Sequence, residues 1–149
     1  MQLEAQEDNR ALLLRMFEEL GNRGNIATAA EFMALDVKRH DLGALFPSAT
    51  DVGGVKNFLG MMRAAIPDLH FEVHEVIASG DRVVVRFTLS GTHTGDLAGV
   101  SGTGRPVSMP CINIYRIADG KVAETWQLAG ELSLLKQVGA YTPHGSTVV

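Results

Sequence analysis

Two tetrapeptides of the same form constrain the fold of this chain more than any other feature. Ile77-Ala-Ser-Gly80 and Ile117-Ala-Asp-Gly120 are each followed by a charged residue and flanked by runs with strand-like alternation. A glycine that closes a short loop favours a β-hairpin, because glycine adopts the left-handed backbone conformation without strain. The sequence therefore predicts two antiparallel hairpins, within residues 70–91 and 109–128.

The first half of the chain has helical periodicity instead. A first predicted helix presents one apolar stripe, made of Leu13, Met16, Phe17 and Leu20. Asn25 is expected to cap a second helix through Ala29, Phe32 and Met33. A third spans about residues 51–66 and is ended by Pro67, and a short fourth covers about residues 131–138. Helices followed by an antiparallel meander indicate the α+β class.

A three-residue loop in each hairpin predicts the strand register. In the second hairpin this register places Asn113 opposite Thr125, Cys111 opposite Gln127 and Tyr115 opposite Ala123, on one face of the sheet. The other face is apolar and comprises Ile112, Ile114, Val122, Trp126 and Leu128. A monomer would leave much of that second face wet, so we expect a homodimer or a larger even-numbered assembly.

In the first hairpin the same rule predicts a polar face with Glu72 opposite Arg86. The apolar face comprises Phe71, Val73, Val83, Val85, Phe87 and Leu89. Glu75 falls on this apolar face, so it is the one acidic residue that this register places near a core.

Composition and charge narrow the class of partner. The 149 residues fit one domain, and a hydrophobic content of 46% predicts a packed core. The net charge is −4 and the basic residues are scattered, which argues against nucleic acid and membranes as partners. The lone Cys111 allows no internal disulfide, and the acidic, polar N-terminus is unlike a secretory signal. We therefore expect a cytoplasmic protein.

Several segments, in order, resemble the SnoaL-like polyketide cyclases, a family with the nuclear transport factor two-like fold. They are Pro67-Asp-Leu-His-Phe-Glu-Val73, Gly80-Asp-Arg-Val-Val-Val-Arg86, Gly91-Thr-His-Thr-Gly-Asp-Leu-Ala-Gly99, Thr103-Gly-Arg-Pro-Val107, Tyr115-Arg-Ile-Ala-Asp-Gly-Lys-Val122, Trp126 and Leu134-Leu-Lys-Gln-Val-Gly139. The resemblance implies one domain over residues 1–149, with a core at about 8–139 and a tail at 140–149. It also implies an α+β cone, in which helices and a curved antiparallel sheet enclose a pocket for a small molecule.

The family's cyclases use an aspartate immediately before the tryptophan as a base, close to a histidine on the neighbouring strand. Carried over by the resemblance, these positions are Thr125 and Asn113 here. Neither side chain has a pKa suited to taking a proton from carbon near neutral pH. The sequence therefore lacks the base that the resemblance implies for the family's usual reaction.

Two histidines remain as candidate catalytic residues. His93 shares the core face with Phe87 and Leu89 if its strand continues without a bulge, and its ordinary pKa suits proton transfer. The alternative is a buried histidine that holds the glycine-rich loop by hydrogen bonds. His40 follows Val37-Lys-Arg, a predicted short strand at the cone mouth, and could line the pocket. The adjacent Asp41 would point to the opposite face.

The candidate ligand-binding set is neutral. Its members are Asn113, Tyr115, Thr125 and Gln127, with Cys111 as a small part of the pocket wall. His70, Glu72 and His74 have metal-ligand spacing, but the predicted Arg86 opposite Glu72 opposes a cation, so no metal is expected. Residues 99–104 lack the ending of a phosphate loop, and no nucleotide or flavin motif is present, so no cofactor is expected.

Three functions follow from these observations. The first is a cofactor-independent enzyme of natural-product biosynthesis that closes a ring in a bulky, mostly apolar, polyketide-like intermediate. The second is a non-catalytic domain that uses the same pocket to bind a small molecule. The third is an isomerase or hydrolase of the same superfamily, which would need a pocket carboxylate such as Glu75.

Overall fold

The computed structural model describes residues 2–141, which form an α+β cone as expected. The helical elements are α1 (Gln2–Met16), continued by a π-helical segment (Phe17–Asn22), a 3₁₀ turn (Ile26–Thr28), α2 (Ala29–Phe32), α3 (Val52–Ala65) and α4 (Glu131–Gln137). The strands are β1 (Met33–Asp41), β2 (His70–Ser79), β3 (Arg82–Thr92), β4 (Pro106–Ala118) and β5 (Lys121–Ala129). Most of the predicted tail, residues 140–149, lies outside the described residues, and the single-domain division stays a prediction.

Capping side chains and proline explain the bounds of some helices. The Asp51 side chain caps α3 by accepting a hydrogen bond from the Gly54 amide at 2.8 Å, and Pro67 follows the last turn. The predicted cap at Asn25 is wrong, because the Asn25 side chain donates to Glu19 instead. The second helix is also shorter than predicted, because Met33 already begins β1.

The five strands form one sheet in the order β1-β5-β4-β3-β2. All neighbours are antiparallel except β1 and β5, which are parallel. The predicted short strand at Val37 is therefore an edge strand of nine residues. Because β1 lies beside β5, a segment from the helical half contributes side chains to the concave face of the sheet.

Both predicted hairpins form, but each has a two-residue turn and not a three-residue loop. In the second turn, Asp119 and Gly120 both have positive φ, as a type I′ turn requires. A bulge at Ala123 then shifts the pairing by two residues from the prediction. Asn113 lies opposite Gln127 and Tyr115 lies opposite Thr125. A shift of two keeps the faces unchanged beyond the bulge, so for these residues only the predicted partners were wrong.

The first hairpin has a bulge at His74, which reverses the alternation in the rest of β2. Glu75 consequently leaves the apolar face, where it was predicted, and its carboxylate accepts a hydrogen bond from Arg86 at 3.3 Å. Glu72 pairs with Thr88 and not with Arg86. The predicted core residues Val83, Val85, Phe87 and Leu89 of β3 are buried, as expected.

The convex face of the sheet carries exposed apolar side chains. Ile112, Ile114 and Leu128 are exposed there, and Trp126 is partly buried. Val122, predicted on this face, is fully buried on the concave side, because the bulge at Ala123 changes its orientation.

No helix within residues 2–141 is both long enough and apolar enough to cross a lipid bilayer.

Candidate functional site

A cavity lies between the helices and the concave face of the sheet. Its empty space, including the part at its mouth that is open to solvent, is ≈ 730 Å³. Four methionines line it, namely Met16, Met33, Met62 and Met109. Methionine side chains are flexible and polarizable, so this wall can adjust to a bulky ligand.

Aromatic side chains form one end of the cavity wall. The Phe17 ring meets the Phe87 ring edge-on at 4.8 Å between centroids and the Tyr115 ring at 6.1 Å. Phe17 belongs to the π-helical segment, whose Gly21 leaves room for the Phe71 ring: a Cβ at Gly21 would lie 2.8 Å from that ring. This end therefore offers flat apolar surfaces to a ligand.

The polar floor of the cavity is a grid of six side chains on three neighbouring strands. One row across the sheet comprises Arg39, Thr125 and Tyr115, and the next comprises Asp41, Gln127 and Asn113. Directly opposite residues bring their Cβ atoms to within about 5 Å. Five of the six line the cavity; Asp41 is enclosed beside it, beneath the segment that follows β1. This arrangement places polar groups against otherwise apolar walls.

Part of this grid is internally hydrogen-bonded and part is not. The Asn113 amide group donates to the Tyr115 hydroxyl at 2.8 Å. Burial raises the pKa of Tyr115 well above its usual range, so the phenol stays protonated. Asn113 Oδ1 and Thr125 Oγ1 are buried without a hydrogen-bond partner among the described residues. Unpartnered buried polar atoms are costly, which is typical of groups that meet a ligand or a water molecule.

Arg39 is the member of the grid that the sequence reasoning missed. Its side chain is 3% exposed, its guanidinium lies 3.8 Å above the Phe58 ring, and its Nη2 donates to Gln127 Oε1 at 2.6 Å. Burial lowers the pKa of Arg39, and the nearby Asp41 opposes that shift. The sequence did contain a signal for Arg39. Residues two apart on a strand point to the same face, so a predicted strand with Val37 in the core also places Arg39 towards the core.

The two histidines lie outside the cavity lining. His93 is completely buried, and its Nδ1 lies 3.0 Å from Thr103 Oγ1 in the loop that leads to β4. This position corresponds to the alternative in which His93 holds the loop. His40 lies on the convex face, where its ring stacks on Trp126 and its Nε2 lies 2.6 Å from Glu124 Oε2. The expectation that either histidine meets a ligand in the cavity is therefore corrected.

Cys111 shares the concave face of β4, but it is buried beyond the cavity wall. Burial raises the pKa of its thiol to about 12, so the unreactive thiol form prevails near neutral pH. The row of His70, Glu72 and His74, where no metal is expected, is interrupted by the bulge at His74, whose Nε2 lies 2.7 Å from the Thr88 hydroxyl. Across residues 2–141, no three His, Cys, Asp or Glu side chains are close enough to share a metal ion.

Comparison with known proteins agrees with this architecture. Residues 11–138 match the family model of the SnoaL-like polyketide cyclases. The chain belongs to this family. It is 30% identical over 135 residues to the aklanonic acid methyl ester cyclase DnrD of Streptomyces peucetius, covering 88% of this chain and 91% of that one.

Two solved structures extend the comparison. AclR of Streptomyces galilaeus, described as a candidate hydroxylase, is 28% identical with a TM-score of 0.81, over 93% of this chain and 89% of its own. IdmH of Streptomyces antibioticus, a candidate polyketide cyclase, is 29% identical with a TM-score of 0.75, over 88% and 98%. Relatives of similar likeness are thus described by different reactions, so family membership alone does not specify the chemistry.

Proposed function

We propose that this protein closes a ring in a largely apolar, polyketide-like intermediate by holding it in a reactive conformation. The observation that supports this proposal is the combination of flat apolar walls with two unpartnered polar atoms on residues that line the cavity, Asn113 Oδ1 and Thr125 Oγ1. A fully apolar core would not need them, since each costs about 1–3 kcal/mol when left unmatched.

The residues suggest a division of roles. Thr125 donates its hydroxyl hydrogen to a ligand carbonyl, and Asn113 Oδ1 accepts a hydrogen from a ligand hydroxyl. The bond from Asn113 to the Tyr115 hydroxyl fixes the orientation of that amide. The aromatic end restricts the conformation of the flexible chain. Bringing two reacting carbons into contact can supply about 7–11 kcal/mol of the barrier reduction when the geometry is good.

The relative DnrD is named as a cyclase of aklanonic acid methyl ester, and this name supports a substrate of that general kind. The aspartate that the family's cyclases place before the tryptophan is a threonine here. The reaction would then depend on conformational restriction and hydrogen bonding, with the proton removed by solvent or by the substrate itself.

A second candidate function is binding without catalysis. It is favoured by a specific observation: the described residues that line the cavity include no carboxyl group and no imidazole. Such a cavity could carry or sense a small molecule unchanged, because hydrogen bonds and apolar contacts are sufficient for affinity.

The experiment that separates the two uses aklanonic acid methyl ester as the probe. Aldol closure leaves the mass unchanged, so chromatography must resolve the cyclised isomer from the starting compound. Catalysis predicts turnover that falls about tenfold in Thr125→Val, with Thr88→Val on the convex face as the matched control. Recovery of unchanged probe that binds with one-to-one stoichiometry would favour the binding function. Absence of both would refute the proposed ligand class.

A further inference from the structure

Arg39 is the one cation that lines the cavity in the described part of the chain. A guanidinium has five N–H donors. Its hydrogen bonds to described residues use two of these groups, one to Gln127 Oε1 at 2.6 Å and one to the Pro47 carbonyl. Asp41 Oδ1, at 3.6 Å, is beyond hydrogen-bond distance but forms a buried ion pair with Arg39. Donors therefore remain for a ligand on the cavity side.

The two acidic residues near Arg39 are Glu131 and Asp41. Glu131 Oε1 accepts hydrogen bonds from the amides of Ala44 and Leu45, at 2.9 and 3.1 Å. Both oxygens of the Asp41 carboxyl are buried without a hydrogen-bond partner among the described residues. Only Glu131 thus holds the backbone of residues 44 and 45, which follow β1. Neither carboxyl group lines the cavity, whereas Arg39 does.

The hydrogen bonds that fix the segment after β1 do not explain why the side chain at position 39 is an arginine that faces an apolar cavity. The Pro47 carbonyl and the Gln127 amide are neutral acceptors. The ion pair with Asp41 offsets part of the cost of burying this cation, but Asp41 does not line the cavity, and Phe58 covers one face of the guanidinium at 3.8 Å. A planar cation among apolar walls matches an anion with two equivalent oxygens, which it can bind bidentately.

We propose that Arg39 anchors a delocalised oxyanion of the ligand, either a carboxylate or the enolate of a β-dicarbonyl. The proposal rests on the proposed function in one respect, namely that the cavity binds an oxygenated apolar molecule. It adds that the cavity selects the anionic form of the ligand and that Arg39 is the residue that selects it. Stabilising an enolate at Arg39 would also compensate for the threonine that replaces the family's base, since the ligand would enter already deprotonated.

Three naphthalene probes test this by calorimetry at neutral pH. Naphthoate carries a carboxylate, naphthoyltrifluoroacetone ionises to an enolate, and acetylnaphthalene is a neutral ketone of the same ring system. The protein should bind at least one anion about tenfold more tightly than the ketone, which equals about 1.4 kcal/mol. Preference for naphthoate alone identifies a carboxylate ligand, and preference for naphthoyltrifluoroacetone alone identifies an enolate.

The variants are Arg39→Met, Arg39→Lys and, as the matched control, Arg82→Met. Arg82 stacks on Trp126 on the convex face, away from the cavity. Arg39→Met should remove the preference for the anion and keep the affinity for the ketone within about threefold, while Arg82→Met should change neither. Arg39→Lys keeps the charge without the planar fork and should retain a reduced preference; it also serves if Arg39→Met does not fold.

Two outcomes would overturn the proposal, and they differ from failure of the proposed function. If all three probes bind the unaltered protein equally, Arg39 is not an anion anchor, although the cavity is a ligand site. If Arg39→Met keeps the preference, the anion binds elsewhere. If none of the probes binds at millimolar concentration, the cavity does not take apolar aromatic ligands, and the proposed function fails together with this inference.

Discussion

The hydroxyl of Thr125 is buried without a hydrogen-bond partner among the described residues, although valine would fill the same space. Thr125→Val should therefore stabilise the free protein. A buried hydroxyl without a partner costs about 1–3 kcal/mol, and the low end applies because the cavity opens to solvent. We expect the free energy of unfolding to rise by about 1 kcal/mol. For 149 residues this raises Tm by about 3 °C.

Thr88→Val is the matched control, because both threonines lie on strands and the substitution has the same shape. The Thr88 hydroxyl is 2.7 Å from His74 Nε2, so its removal breaks a hydrogen bond. Thr88→Val should be neutral or destabilising by up to about 1 kcal/mol. Any general gain from valine in a strand affects both variants equally and cancels in the comparison.

Urea denaturation followed by circular dichroism measures both variants against the unaltered protein. The reasoning predicts a higher midpoint for Thr125→Val with an unchanged slope, and no such increase for Thr88→Val. A Thr125→Val variant less stable than the unaltered protein by more than about 0.5 kcal/mol would show that the hydroxyl already has a partner. With a saturating ligand the order should reverse, because only the unaltered protein makes the additional hydrogen bond.

Three further predictions follow from the same residues. Thr125→Asp places a carboxylate where the family resemblance expects a base. Burial raises the pKa of that carboxyl and Arg39, on the adjacent strand, lowers it, so we expect weak cyclase activity toward aklanonic acid methyl ester; an inactive but folded variant would contradict this. Burial raises the pKa of Asp41, so its ionisation weakens the native state; in urea titrations from about pH 4 to pH 7, Asp41→Asn should gain stability relative to the unaltered protein as pH rises, and a constant difference would refute this. The exposed convex face should pair two copies of the chain; sedimentation should show a dimer that Ile114→Asp converts to a monomer, and a monomeric unaltered protein at micromolar concentration would exclude that assembly.

The faces of the sheet could be predicted from the sequence, whereas the strand register could not. Alternation alone separates Tyr115 and Asn113 from Ile114, and the structure keeps them apart. The register depends on the turn length and on the bulges at His74 and Ala123, and no short sequence motif predicts these bulges. An error of two residues kept the faces of residues 124–128 and changed their partners, while the bulges at His74 and Ala123 moved Glu75 and Val122 to the other face.

The position of Arg39 shows a different limit of sequence reasoning. The charged run from Lys38 to Asp41 is typical of an exposed segment, and the sequence gives no local signal that this strand pairs in parallel with β5. A parallel pairing between segments more than 80 residues apart is set by the closure of the whole cone, not by any turn. Once it is known, alternation along β1 places Arg39 and Asp41 on the concave face and His40 on the convex one. The same pairing aligns Arg39 with Thr125, so the edge strand adds a cation beside the hydroxyl to which the proposed function assigns a ligand contact.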